Sequence, residues 1–294
     1  MAGPLTTPLE PGAARAVATP AHPTARGQQW IHSTVLRRIE AAAASTCGSL
    51  HASNEDAHSA LTGPGSLFIV ADGVGGGAMA QMASRQLVAQ LHAALDDRPV
   101  DADAIRNAMR EADRDIARRI ARVTDSPGAA TVVLCAPVNA LASKWLVAWV
   151  GDCRAYRLAK GSESHIDLLT RDDTFLHLNE TPPRSGSLDD PARMVGNGAV
   201  ADANVATHSL SNGDLLLLCS DGVHKFVGAD DMRRVLERSG PLAQCCEELI
   251  ALARAQGSTD DATVLLLRRA VCALPRPHWF TRWFGREPNR RTAR

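Results

Sequence analysis

The sequence has few aromatic residues and no net charge, and it lacks both paired-cysteine motifs and membrane-length apolar runs. Phe, Trp and Tyr make up 4% of the 294 residues, with a single tyrosine. A core must therefore be built from Val, Leu, Ile and Ala, and the 45% hydrophobic content is enough for one. Lys+Arg and Asp+Glu each number 32, so the overall charge gives no hold on a polyanion, and nucleic acid is not an expected partner. The seven cysteines are odd in number and form no CxxC, and Cys135 and Cys219 sit inside apolar runs. This is the usage of a reducing compartment, and no Cys/His group has zinc-ligand spacing. No transmembrane segment or signal peptide can be read, so a cytoplasmic protein is expected, with a monomer as the default.

The chain does have six acidic residues in five short patches. They are Glu55 and Asp56 in SNEDA, Asp72 in LFIVADGVGGG, Asp152 in LVAWVGDCRAY, Asp221 in LLLLCSDGV and Asp260 in GSTDDATV. Most lie where an expected strand runs into a glycine turn, which puts a carboxylate and free carbonyls at a sheet rim. Several rims brought together make an oxygen-rich cluster suited to hard divalent cations such as Mg²⁺ or Mn²⁺. Such a cluster points to metal-activated water attacking a phosphoryl group, with two cations about 3.5–4 Å apart on a shared carboxylate. Asp72, followed by Gly73, suits the shared position.

Around these patches the periodicity predicts strands at 31–37, 66–71, 129–136, 144–150, 153–158, 165–169, 214–219 and 262–269. Helices are predicted at 79–96, 101–123, 229–238 and 241–256. Residues 1–28, rich in Pro, Ala, Thr and Gly, read as a disordered tail, and 29–272 as one domain. Residues 172–200 read as a long functional loop. Residues 273–294 interleave arginines with Trp279, Phe280, Trp283 and Phe284. This tail reads as an amphipathic segment packing on the domain or solvated, with docking to a membrane surface or acidic partner as the sharper alternative. The element order suits an α+β sandwich with helices outside better than an alternating parallel sheet.

In order and spacing, SNEDA at 53–57, ADGVGG at 71–76, GAATVV at 128–133, VGDCRAY at 150–156, LLTRDD at 168–173, CSDGV at 219–223 and GSTDDATV at 257–264 resemble the metal-dependent protein phosphatases of the type 2C class, in their compact bacterial form. The resemblance covers roughly 45–270. It implies a four-layer αββα sandwich with two central antiparallel sheets, and hydrolysis of phosphoserine and phosphothreonine at a binuclear Mg²⁺ or Mn²⁺ centre. Asp72 would bridge two metals and the Gly73 carbonyl would bind one of them. Asp221 and Asp260 would complete the first metal's shell, and Glu55, with Asp56 behind it, would hold the second. Asp152, with Asp221, would bind a weaker third. Thr131 and Thr263 would be structural, and 172–200 would be the flap beside the cleft. Phosphoproteins made by a cognate serine/threonine kinase would be the substrates.

The chain departs from that pattern at three places. His51 stands where the family usually has a phosphate-binding arginine, so His51 joins Asp72 as an expected catalytic position with weaker phosphate capture. Val74 and Gly77 stand where a histidine general acid is often found, which leaves His58, His224 or water for that role. Asp261 replaces the usual asparagine of the last motif, either tightening the metal shell or standing behind it. A pseudophosphatase that binds a phosphoprotein or regulator is the alternative reading, and a phosphatase of small phosphoesters is a third.

Overall fold

The computed structural model describes residues 27–270, apart from 34–36, 63–64, 97–98, 126–127, 162–163, 199–201 and 239. The expected tails fall outside these residues, except that Gln28 already opens the first strand.

Eleven strands are described, β1 (Gln28–Ser33), β2 (Arg38–Thr46), β3 (Ala57–His58), β4 (Phe68–Val74), β5 (Ala129–Pro137), β6 (Lys144–Val150), β7 (Arg154–Ala159), β8 (His165–Leu168), β9 (Asn204–Ser209), β10 (Leu215–Cys219) and β11 (Ala262–Ala270). They form two antiparallel sheets, ordered β1-β2-β11-β10-β7-β8 and β3-β4-β5-β6-β9. The helices are α1 (Ala78–Leu95), α2 (Ala102–Ala121), α3 (Phe175–Leu178), α4 (Asp221–His224), α5 (Ala229–Glu237) and α6 (Leu242–Ala255).

Three apolar clusters define four layers, as expected. Between the sheets lie Ile39, Phe68, Val70, Val133, Trp145, Val147, Leu216, Leu218 and Leu265. On the outer face of the five-stranded sheet, α1 and α2 bury Leu87, Leu91, Leu95, Ile105, Met109 and Ile116 against Ile69, Val132 and Leu134. On the outer face of the other sheet, α5 and α6 bury Met232, Leu236, Cys246 and Leu249 against Leu217, Val264 and Leu266. Each such aliphatic side chain removed from water contributes about 1.5–3 kcal/mol. The i, i+4 stripe Ala83, Leu87, Leu91, Leu95 commits α1 to its sheet. Asp101 caps α2, its carboxylate accepting from the Ala104 N–H at 2.8 Å.

Three strands, β2, the two-residue β3 and β9, are absent from the sequence expectation, and β1 begins at Gln28, earlier than the expected 31–37. β2 runs through RIEAAAAST, where no strand is predicted, because alanine favours helix in isolation. It lies between β1 and β11, and Ala41–Ala44 are buried on both faces, so burial decides over propensity. β9 follows the long loop and pairs with β6 at the sheet edge.

Candidate metal centre

The acidic residues come from separate segments that meet at one end of the stacked sheets. Asp72 does not end its strand. β4 continues through Gly73 to Val74, and Asp72 pairs in register with Thr131 of β5. Gly73 is required by close backbone approach, not by a turn. A Cβ there would stand 2.5 Å from the Ala80 carbonyl oxygen and 2.8 Å from that of Glu55. The turn follows at Gly75, Gly76 and Gly77, whose φ angles of 112°, 76° and 78° lie where glycine is favoured. Asp221 likewise opens a helical turn, α4, instead of closing β10, and a Cβ on Gly222 would stand 1.9 Å from the Asp261 carbonyl oxygen. Both Asp-Gly pairs thus pin a carboxylate where two backbones nearly touch.

The charges fall into two overlapping groups. In the first, burial and then the charges of Asp221, Asp56 and Asp152 hold the Asp72 carboxyl well above its ordinary pKa. Asp56, buried beside Asp221 and Asp261, is pushed up to about 8, and Asp152, buried beside Asp221, to about 7. Asp221 goes the other way. Burial would raise it, but the Lys225 ammonium, 2.6 Å from its Oδ2, and a hydrogen bond with Asp72 together hold it below the usual carboxylate value. In the second group, burial raises Glu55, with Asp261 and Asp260 adding to the effect. Burial and Asp221 raise Asp260, which links the two groups.

The free oxygens of the cluster decide whether divalent cations fit. Glu55 Oε2, Asp56 Oδ1 and Asp152 Oδ2 are buried without a hydrogen-bond partner among the described residues. The other oxygens of Glu55 and Asp56 are fixed. Glu55 Oε1 accepts from the Gly77 N–H, and Asp56 Oδ2 accepts from Ser220 Oγ at 2.7 Å. A buried carboxylate oxygen left bare is costly unless a cation meets it. Positioned, all-oxygen donors fit Mg²⁺ or Mn²⁺.

His51 stands at the rim, its side chain 30% exposed. Its Nδ1 lies 3.4 Å from Asp261 Oδ2 and 3.8 Å from both Glu55 Oε2 and Asp260 Oδ1. The ring therefore borders the acidic cluster itself. Asp261 stands behind the cluster. Its Oδ1 accepts from the Gly48 N–H at 2.7 Å and its Oδ2 from the Glu55 N–H at 2.6 Å, so it ties the SNEDA loop to β11. Thr263 Oγ1 bonds Ser45 Oγ at 2.7 Å, and Thr131 Oγ1 bonds Cys153 Sγ at 3.2 Å, both in supporting positions. Cys153 is buried, and burial followed by Asp72 holds its thiol well above its ordinary pKa, in line with a packing role.

Neither histidine considered as an acid is arranged as one. His224 is buried, with its Nε2 2.8 Å from the Asp152 carbonyl, and burial lowers its pKa to about 4. His58 holds the Ser59 carbonyl through Nδ1 at 2.8 Å and lines a separate cavity of 930 Å³ with His92 and Arg85.

Several supporting roles escape sequence reasoning, although Ser84 and Ser220 lie in or beside the matching motifs. Ser84, buried in α1, donates to the Glu55 carbonyl, and Ser220 Oγ also accepts from the Thr263 N–H at 3.0 Å. Arg254 of α6 gathers the Asp260 carbonyl and, at 3.2 Å, the Ser258 carbonyl. Lys225 was readable only as a residue four after Asp221. The long loop, described over residues 172–198, is tied down at two points. Val195 and Ala130 exchange backbone bonds at 2.8 Å, and Asp113 of α2 accepts from the Gly196 N–H at 2.7 Å and the Gly198 N–H at 3.0 Å.

Comparison with known proteins agrees with this geometry. Residues 47–259 match the family model described as protein phosphatase 2C. The chain is 29% identical over 235 residues to the serine/threonine protein phosphatase PstP of Mycobacterium tuberculosis, covering 76% of this chain but 44% of that protein. It is 27% identical over 218 residues to the serine/threonine phosphatase stp of Listeria monocytogenes, covering 69% of this chain and 84% of that one. The crystal structure of the PstP catalytic domain, in complex with two manganese ions, superposes with a TM-score of 0.67 at 26% identity, over 80% of this chain and 99% of that one. With the family's motifs in order on its two-sheet frame, the chain belongs to the protein phosphatase 2C family.

Proposed function

We propose that the protein is a metal-dependent serine/threonine phosphatase that hydrolyses phosphoserine and phosphothreonine in proteins. The observation that carries this reading is the pair of bare buried oxygens on Glu55 and Asp56, in a cluster whose charges hold the Asp72 carboxyl well above its ordinary pKa. Asp72, the Gly73 carbonyl, Asp221 and Asp260 would hold one divalent cation, and Asp72 with Glu55 and Asp56 a second. Mn²⁺ or Mg²⁺ bound there would lower the pKa of water and neutralise phosphoryl charge. The residues themselves position and shield. Gly73 and Gly222 fix the carboxylates, Asp261 and Arg254 hold the loops that carry Glu55 and Asp260, and His51 offers the phosphate a donor at the rim. No side-chain nucleophile is needed. The manganese pair in the related PstP domain supports two cations.

A cognate serine/threonine kinase would supply the substrates of a cytoplasmic, monomeric enzyme. No described helix is long and apolar enough to cross a membrane. The role of 273–294 in docking lies outside the described residues.

The test is phosphate release from a phosphothreonine peptide and from p-nitrophenyl phosphate, with Mn²⁺, Mg²⁺ or EDTA. Metal-dependent release from the peptide supports the proposal. Release from the small ester alone moves the assignment to small phosphoesters. Metal binding without release from either makes the protein a binding module.

A further inference from the structure

The resemblance assigns Asp152 and Asp221 jointly to a third, weaker cation, but the structure places one of the chain's own cations between them. Lys225 directly follows α4, the turn that Asp221 opens, and its N–H donates to the Asp221 carbonyl at 3.0 Å. The i, i+4 spacing then brings the ammonium back over the carboxylate. Lys225 Nζ donates to Asp221 Oδ2 at 2.6 Å and lies 3.4 Å from Asp152 Oδ2. The Asp152 side chain is 3% exposed, and this oxygen has no hydrogen-bond partner among the described residues, so Lys225 is its counter-charge.

A divalent ion joining this pair through Asp221 Oδ2 and Asp152 Oδ2 would compete with the ammonium for both oxygens. The Lys225 side chain is 40% exposed and can swing away, so the conflict is one of competition, not of blocked space. A tethered ammonium is always at hand, and after displacement its charge still opposes a second cation nearby.

We propose that Lys225 is the resident cation of the Asp152–Asp221 pair, so that the chain holds two divalent ions and not three. Lys225 thus supplies permanently the charge that a weakly bound metal would supply only at high concentration. The proposal rests on the reading of the acidic cluster as a metal centre.

Metal stoichiometry tests it without reference to turnover. EDTA-stripped full-length protein is dialysed against rising Mn²⁺, and bound metal is counted for wild type, Lys225→Gln, Lys225→Asp and Lys225→Arg. Wild type and Lys225→Arg should level off at two ions. Lys225→Gln should take up a third at a concentration about tenfold below any third uptake by wild type, the loss of one charge-assisted hydrogen bond. Lys225→Asp should bind it tighter still. A third ion in wild type with the same affinity as in Lys225→Gln would overturn the proposal and leave the metal centre standing. No uptake by any form would overturn the metal centre and this proposal together.

Discussion

Each carboxylate of the centre is handled by its own neighbours. Asp261 gives both oxygens to backbone N–H groups, Asp221 is neutralised by Lys225, and Glu55 and Asp56 each keep one oxygen bare. These differences decide which residues can ligate, and they cannot be read from a count of acidic residues. His51 sits among carboxylates with a single ring N–H to offer, whereas arginine would carry a permanent charge and a fork for phosphate. His51→Arg should lower KM for a phosphothreonine peptide roughly three- to tenfold, reflecting one stronger charge-assisted contact. An unchanged KM would place residue 51 outside the phosphate pocket. His224 is held neutral by burial, with a folded-state pKa of about 4 against about 6.5 when unfolded. Its contribution to stability is therefore complete above pH 6.5 and is lost as pH falls towards 4, by up to about 3 kcal/mol. His224→Gln keeps a donor for the Asp152 carbonyl but cannot titrate. The stability of wild type relative to this variant should fall between pH 6.5 and 4 in chemical denaturation, and a pH-independent difference would refute the assignment.

The elements show how much was legible. Helices α1, α2, α5 and α6 and strands β4 to β8, β10 and β11 follow from apolar periodicity, because each has one face or both buried in a defined layer. β2 was hidden because its alanines carry no strand signal and become a central strand only through their neighbours on both sides. The site motifs were visible as Asp-Gly pairs, but the reason for their glycines was not. Gly73 is crowded by the backbones of Ala80 and Glu55 and Gly222 by that of Asp261, contacts that arise from packing and not from the turn the Asp-Gly pattern suggests. At Gly222 the contact is close enough to predict a cost. Gly222→Ala puts a methyl group 1.9 Å from the Asp261 carbonyl oxygen and should destabilise the fold by about 2–3 kcal/mol while weakening Mn²⁺ binding. Wild-type melting together with wild-type Mn²⁺ affinity would show that the α4–β11 contact relaxes freely. The roles of Lys225 and Arg254 were illegible for the same reason, since they depend on where α4 and α6 end relative to the carboxylates.

At the scale of the whole molecule, the two sheets supply rigidity and the acidic end gives up stability for function. In metal-free protein, Asp56, with a folded-state pKa of about 8, and Asp152, at about 7, keep protons that the unfolded chain releases near pH 4. The folded state then binds more protons than the unfolded one, so stability falls as pH rises through this range. Between pH 6.5 and 8.5, above the window of His224, melting in EDTA should move to lower temperature, and saturating Mn²⁺ should remove most of that loss. A metal-free melting point that rises over this range would contradict the picture of buried, mutually repelling carboxylates. Asp72 lies among Asp221, Asp56 and Asp152, and Asp221 joins this group to Asp260, so the proposed cations would meet the charge of both groups. The most direct test is the rate of Mn²⁺-dependent phosphate release from a phosphothreonine peptide by wild type and by Asp72→Asn. The account predicts turnover that EDTA abolishes and that the variant lowers by about a thousandfold or more, since roughly 4 kcal/mol of transition-state stabilisation would be lost with the shared ligand. Turnover that persists in EDTA, or survives in Asp72→Asn, would contradict it.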